Sequence, residues 1–332
     1  MRIALDAMGT DHAPAAEVAG AIGALQELDS GIEVVLVGDQ AAIEAELARQ
    51  PDAPPGRLLV RHAPDRVTAS DPPASVIRRK PESSIVVGLK LVKAGEADAF
   101  VSAGSTGAVM ATSLLTLRPL PGVARPAIGT LLPTAKAPCL MLDAGANVDC
   151  KPQHLLQFAH LGQVYAKDLM GIANPRVALL NIGEEPEKGD ELTLGTYRLL
   201  AGATGLNFVG NVEGRDIIQG NSDVVVCDGF VGNVLLKFYE SVAEFTIGLL
   251  KKELKQSHEQ LNLEEVFRIL DYAEYGGAPL LGVGGISIIC HGESSARAIR
   301  NALAVAARAV QSDMVSHMAR EVSPGRNSEE SS

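Results

Sequence analysis

Residues 98–111, DAFVSAGSTGAVMA, run from a short apolar segment through two glycines and two hydroxyls into a helix-like pattern. Gly104 and Gly107 permit a tight turn and close ligand approach, and the amides that open the next helix lack intrahelical partners. Such an elbow suits an anion, with Ser105 and Thr106 as added hydroxyl donors, although the same four residues can serve simply as a helix cap. Arg78, Arg79 and Lys80 form a compact cationic group beside Ser83 and Ser84. Arginine grips a phosphate in bidentate fashion, whereas a solvated helix face is the better reading for Arg79. Asp6, Asp143 and Asp228 each end an apolar run before a glycine-containing turn, where a carboxylate either accepts a proton or tethers loop amides. His12 and His291 sit at similar turns, each a candidate acid or base near neutral pH or a structural histidine.

These residues lie on a recurring pattern. In IALDAMGTDHAP, FVSAGSTGA, LMLDAGANVD, ALLNIGEEPEKG, VVVCDGFVGN and SIICHGESSA, a short apolar run ends in a polar residue, then glycine, then a helix-like stretch. Buried β-branched strands alternating with amphipathic helices predict an α/β protein, a three-layer, doubly wound, mainly parallel sheet with all six elbows along one edge. Further strands are expected over 32–37, 58–60 and 127–131, and helices over 13–28, 152–170 and 295–313. Two regions depart from the alternation. Residues 67–85 are proline-broken and read as a loop entering a helix. Residues 232–275 read as an inserted helical hairpin, with Phe238, Val242, Phe245 and Leu249 at helical spacing, as are Ile247, Leu250 and Leu254. Val234 and Leu235 are expected in its core-facing half, and Asn262 and Glu265 start a second helix. Residues 1–322 form a single large domain in this reading, and 323–332 a disordered tail.

Composition and missing motifs narrow the chemistry. The 332-residue chain carries a formal charge of −11 and no tryptophan, which argues against nucleic acid as a partner. Cys139, Cys150, Cys227 and Cys290 show no metal-site spacing and read as buried, reduced thiols of a cytoplasmic protein. No signal-peptide pattern and no long uninterrupted apolar run is present. The sequence contains no GxxxxGK[ST], no GxGxxG and no GxSxG, which disfavours a P-loop nucleotidase, a nicotinamide enzyme and a serine hydrolase.

DAMGTDHAP, SAGSTGAVMA, LDAGANVDCKPQHL, ALLNIGEEPEKG, GNVEGRDI, VVVCDGFVGNVLLK and GAPLLGVGGISIICHG together resemble, in order and over nearly the whole chain, the bacterial fatty acyl-ACP:phosphate acyltransferases, the PlsX family. Thr10 stands where the family usually has a second glycine, and Ser105 where it usually has asparagine. The resemblance implies transfer of a long-chain acyl group from acyl carrier protein to inorganic phosphate, without metal or organic cofactor. It also implies a homodimer and a fold similar to isocitrate and isopropylmalate dehydrogenases and to phosphotransacetylase. On this reading the Gly104–Gly107 elbow cradles phosphate with Asp6, Gly9, Arg78, Ser83 and Ser84, and phosphate attacks the thioester directly. Asn147, Asn211 and Asn233 are candidate oxyanion donors, and His12 or Asp228 handles protons. Leu249, Leu250 and Leu254 beside Lys251, Lys252 and Lys255 are expected to touch an anionic membrane, where a membrane glycerol-3-phosphate acyltransferase takes the product. The competing readings are a phosphotransacetylase-like or dehydrogenase-like enzyme acting on a small acid or coenzyme A thioester, and a non-catalytic membrane-docking protein.

Overall fold

The computed structural model describes residues 1–68, 70–256 and 275–323. The apolar runs become β1 (Arg2–Asp6), β2 (Glu33–Gly38), β3 (Leu58–His62), β4 (Ala99–Ser102), β5 (Ala127–Leu132), β6 (Cys139–Leu142), β7 (Arg176–Leu180), β8 (Asn207–Val212), β9 (Val224–Val226), β10 (Ala278–Leu281) and β11 (Ile286–Ile289). They form one sheet in the order β3-β2-β1-β4-β11-β10-β5-β6-β9-β7-β8. Because side chains alternate across a strand, neighbours such as Ile3 and Ala4 enter different cores, one on each face of the sheet. One face is covered by α1 (Ala15–Glu27), α2 (Gln40–Leu47), α6 (Pro152–Asp168), α7 (Glu191–Ala201), α10 (Ala296–Gln311) and α11 (Met314–Glu321). The other is covered by α3 (Val76–Arg79), α4 (Ser84–Lys93), α5 (Thr106–Leu117), α8 (Gly214–Gln219) and α9 (Gly229–Gln256). This is the expected three-layer arrangement.

The elbows do not share one edge. β3, β2, β1, β4 and β11 run parallel, as do β6, β9, β7 and β8, but the two groups are joined by three antiparallel pairings, β11–β10, β10–β5 and β5–β6. Three reversals leave the halves pointing in opposite directions. The local cause is the β5–β6 connection, six residues whose Thr134 hydroxyl donates to Ala137 O at 2.7 Å, too short for the crossover a parallel pair requires. The elbows after β1, β4 and β11 therefore leave one edge, and those after β6, β7 and β9 leave the other.

The helix expected from residue 232 begins at Gly229 and runs 28 residues to Gln256. The partner helix around 262–270 and the tail beyond Ser323 lie outside the described residues. Helix α9 is inverted. Its face toward the sheet presents Asn233, Leu236, Ala243 and Ile247 to a cavity, while Val234, Phe238, Val242, Phe245 and Leu249 point outward, the two phenylalanines 67% and 66% exposed. Val234 is thus not in the core, being 55% exposed, because it sits on the outward stripe; Leu235 is half-buried against the core. Leu250 is half-buried, and the side chain of Leu254 lies outside those described. No helix among the described residues is long and apolar enough to cross a membrane. All four cysteines are free; burial pushes Cys139 and Cys290 up to about 12 and Cys150 to about 11, and raises Cys227 well above the usual thiol range.

Candidate active site

At the first edge, β1, β4 and β11 bring three elbows together. The Asp6 carboxylate, 1% exposed, accepts from Met8 N at 3.0 Å and Ser102 Oγ at 2.6 Å. Ser102 Oγ in turn accepts from Gly104 N at 3.0 Å, so one hydroxyl links the carboxylate to the glycine elbow. Burial raises the Asp6 carboxyl above its ordinary range, against bonds from Ser102 and Ser84 that pull it down. A Cβ on Gly9 would come 2.8 Å from Gly104 N, which is why the first and second elbows touch only with glycine there. The neighbouring Thr10 serves as a clamp: its amide and hydroxyl donate to Glu17 at 2.7 and 3.0 Å, and its carbonyl accepts from Arg66 at 2.7 Å. Glu17 is fully buried, and that burial pushes its carboxyl up to about 7. Asp11 N donates to Gly292 O at 3.0 Å, tying in the β11 elbow that carries His291. His12 is exposed beside it.

Helix α5 begins where sequence reading placed the anion. Ser105 occupies its N-cap without a side-chain capping bond, and Thr106 is exposed. The segment carrying Arg78 lies alongside, since a Cβ on Gly107 would come 3.0 Å from the Pro73 ring. Arg78 and Arg79 are exposed and make no ion pair among the described residues, whereas Lys80 is committed to Asp71 and Arg66 O, each at 2.7 Å. The bond from Lys80 holds the Asp71 carboxyl down at about 2. Ser83 occupies the N-cap position of α4 but makes no side-chain cap, its hydroxyl buried and without a partner among the described residues, while Ser84 bonds Asp6.

At the opposite edge, Asp143 is fully buried and accepts five hydrogen bonds: from the amides of Ile128, Gly145, Ala146 and Asn147 and from Asn147 Nδ2, at 2.7 to 3.2 Å. Burial nonetheless raises its carboxyl, with the donors opposing. Asn147 Nδ2 donates to Pro126 O as well, at 2.8 Å, and Asn147 O accepts from Gly229 N at 2.7 Å. Asp228 Oδ1 caps α9 through the amides of Phe230 and Val231. Asn233, one turn along, is exposed and close enough to Gly145 that a Cβ there would meet its Oδ1 at 3.3 Å. Asn211 stands apart on β8, with Nδ2 on Glu185 O at 2.8 Å and a buried Oδ1 without partner.

A cavity of about 420 Å³ connects the two edges. Thr106, His291 and Ser294 reach it from the first, Ala144 and Asn233 from the second, and α9 roofs it over β5. Asp6, His12, Arg78, Ser83, Asn147, Asn211 and Asp228 do not line it. Sequence reading missed Ser102, Glu17 and Arg66. Ser102 was discoverable as the polar residue closing a buried strand before an elbow; a single arginine in a loop and a glutamate inside an apolar helix carry no such signal.

The family model described as "Fatty acid synthesis protein" matches residues 1–317. A phosphate acyltransferase of Desulforamulus reducens is 54% identical over 322 residues, 95% of each chain, and one of Heliobacterium modesticaldum is 53% identical over 334 residues, 98% of each. The chain belongs to the phosphate acyltransferase family. Its fold is similar to that of the phosphotransacetylase EutD from Staphylococcus aureus, with a TM-score of 0.62 at 17% identity over 93% of this chain and 94% of that one. It is also similar to a branched-chain phosphotransacylase from Enterococcus faecalis, with a TM-score of 0.56 at 14% identity over 93% and 99% of the two chains. A phosphate acyltransferase therefore carries its elbows on a sheet shared with enzymes of quite different sequence.

Proposed function

We propose that this enzyme transfers a long-chain acyl group from acyl carrier protein to inorganic phosphate, yielding acyl phosphate for phospholipid synthesis. The observation that carries the reading is the α5 N-terminus, where Ser105 makes no side-chain cap and the exposed Thr106 opens onto a cavity whose β5 wall is Ile128, Leu131 and Leu132 with Thr130 as its one polar side chain. Amides at a helix start favour an anion. A phosphate held there attacks the thioester carbonyl carbon; the carbonyl oxygen gains charge, the carbon–sulfur bond breaks, and the thiolate leaves. Asn233, across the cavity, supplies a donor toward that oxygen. Phosphate is its own nucleophile, so direct attack needs no acyl-enzyme, and the raised thiols of the four cysteines suit that route better than an acyl-cysteine.

The same reading gives a homodimer in the cytoplasm, with one domain over residues 1–322 into which the 232–275 hairpin is inserted. The end of the hairpin touches an anionic membrane and passes product to a membrane glycerol-3-phosphate acyltransferase. Support comes from the outward apolar stripe of α9, which ends at exposed Leu249 beside exposed Lys252. Purified protein is expected to consume palmitoyl-ACP only when phosphate is present, with no nicotinamide or added metal. No turnover across several chain lengths by folded protein sinks the reading. Sedimentation with anionic but not zwitterionic vesicles, lost in Leu250→Glu combined with Leu254→Glu, tests the membrane contact; a double mutant that still sediments moves that contact elsewhere.

A further inference from the structure

We infer that the cavity beneath α9 is the site of the acyl chain, and that Ala243 limits the length of chain it takes. The inference rests on the acyl-transfer reading and assigns where the hydrocarbon lies. The cavity face of α9 extends from Asn233 to Ile247, and fourteen residues of helix rise about 21 Å. One fatty acyl chain spans half of a bilayer core, ~15 Å, so the groove is long enough. A methylene takes up about as much room as a water molecule, ~30 Å³, so a cavity of this size holds on the order of fourteen of them.

The lining distinguishes hydrocarbon from the other long group a carrier thioester presents. Ile128, Leu131, Leu132, Leu236, Ile247 and Ile289 offer no side-chain hydrogen bond, and a pantetheine arm laid on them would leave its amides unpaired. The polar members of the lining from α9 are Asn233 at the mouth beside α5, Tyr239, whose hydroxyl donates to Pro133 O at 3.4 Å, the Lys237–Glu240 ion pair, 2.8 Å long, and Glu244; Asn233, Lys237 and Glu244 are exposed and belong to the rim. Ala243, 8% exposed, is the smallest side chain on the cavity face of α9. Every added carbon there removes space from the occupant.

The test is a ladder of acyl-ACP substrates from C6 to C18, turned over with phosphate by the wild type, Ala243→Phe and Ile247→Ala. The rate on long chains relative to short ones is expected to fall at least tenfold in Ala243→Phe and to rise in Ile247→Ala. Partial unfolding lowers all lengths alike and leaves the ratio unmoved, so a thermal melt accompanies each variant. A uniform loss in a variant that melts normally assigns the cavity to the carrier arm and overturns the inference; if Ala243→Phe does not fold, the Ile247→Ala ratio decides. Binding of cis-parinaric acid reads the cavity without turnover and is expected to weaken at least tenfold in Ala243→Phe. Wild type that binds parinarate in this Ala243-dependent way but makes no acyl phosphate defeats the acyl-transfer reading and leaves the cavity assignment standing. Parinarate binding indifferent to Ala243 defeats the assignment.

Discussion

Asp6 closes β1 at one edge of the sheet, and Asp143 follows β6 at the other; both carboxylates are out of solvent and both hold a glycine elbow. Their partners differ. Asp143 accepts from four backbone amides, none of which can turn away without moving the chain, and from the Asn147 side chain, itself tied to Pro126 O. Asp6 accepts from one amide and from the hydroxyls of Ser102 and Ser84, which rotate. A buried carboxylate ringed by amides fixes a loop, whereas one held by hydroxyls belongs to a network that can reorganise.

The contrast is sharpest in stability. Asp143→Ala strands several buried donors at a cost of about 1–3 kcal/mol each, so a loss of at least ~4 kcal/mol is expected in denaturant unfolding. A melting temperature unchanged within a few degrees would put the two aspartates on the same footing. Next in size is the charge at the first edge. Arg78→Ala is expected to lower kcat/KM for phosphate about a hundredfold, near ~2.7 kcal/mol, with Arg79→Ala changing it less than about threefold; equal, mild effects in both would make the pair a solvated face.

Glu17 tests whether the first edge responds to pH. Its carboxyl rises from 4.5 to about 7 in the folded protein, so its contribution to stability is complete below pH 4.5 and is lost as pH climbs through 7. In Glu17→Gln the amide oxygen still accepts from Thr10 N and its nitrogen donates to the Thr10 hydroxyl. Relative to the wild type, the variant should therefore gain on the order of 2 kcal/mol between pH 5 and pH 8. The same difference at both pH values would show that Glu17 does not titrate in this range. The smallest effect belongs to Ser83→Ala, whose hydroxyl has no partner to lose. Stability should stay within ~0.5 kcal/mol while the KM for phosphate rises severalfold; an unchanged KM would place phosphate away from α4.

Much of this was readable in the sequence, for physical reasons. The expected strands over 32–37 and 127–131 and helices over 152–170 and 295–313 each fall within two residues of β2, β5, α6 and α10, because apolar periods of 2 and 3.6 leave direct marks. The Gly104–Gly107 elbow was visible because two glycines between a strand and a helix mark a tight turn. Strand direction was not: PTAKAP between β5 and β6 looks like any loop, and nothing local says that it reverses half the sheet. Nor does periodicity reveal which stripe of α9 meets the protein. Phe238 and Phe245 are the natural choice for a core, yet the cavity takes the side bearing Asn233 and Ala243. At the site itself, Asp143 and Asn147 carry the residue types of chemistry but spend their hydrogen bonds on each other and on the backbone.

The strand order also bears on synthesis. β1 to β4 and β5 to β9 are each contiguous in the chain and can assemble as they leave the ribosome, but the seam between them consists of β10 and β11, and Ile286 pairs with Ala99 only after nearly all of the intervening sequence has been made. Until then β4 and β5 are raw edges, open to pairing with a neighbouring nascent chain. The last strands to emerge close the exposure that the first ones create, so a ribosome stalled between β9 and β10 displays two half-sheets with their edges bare.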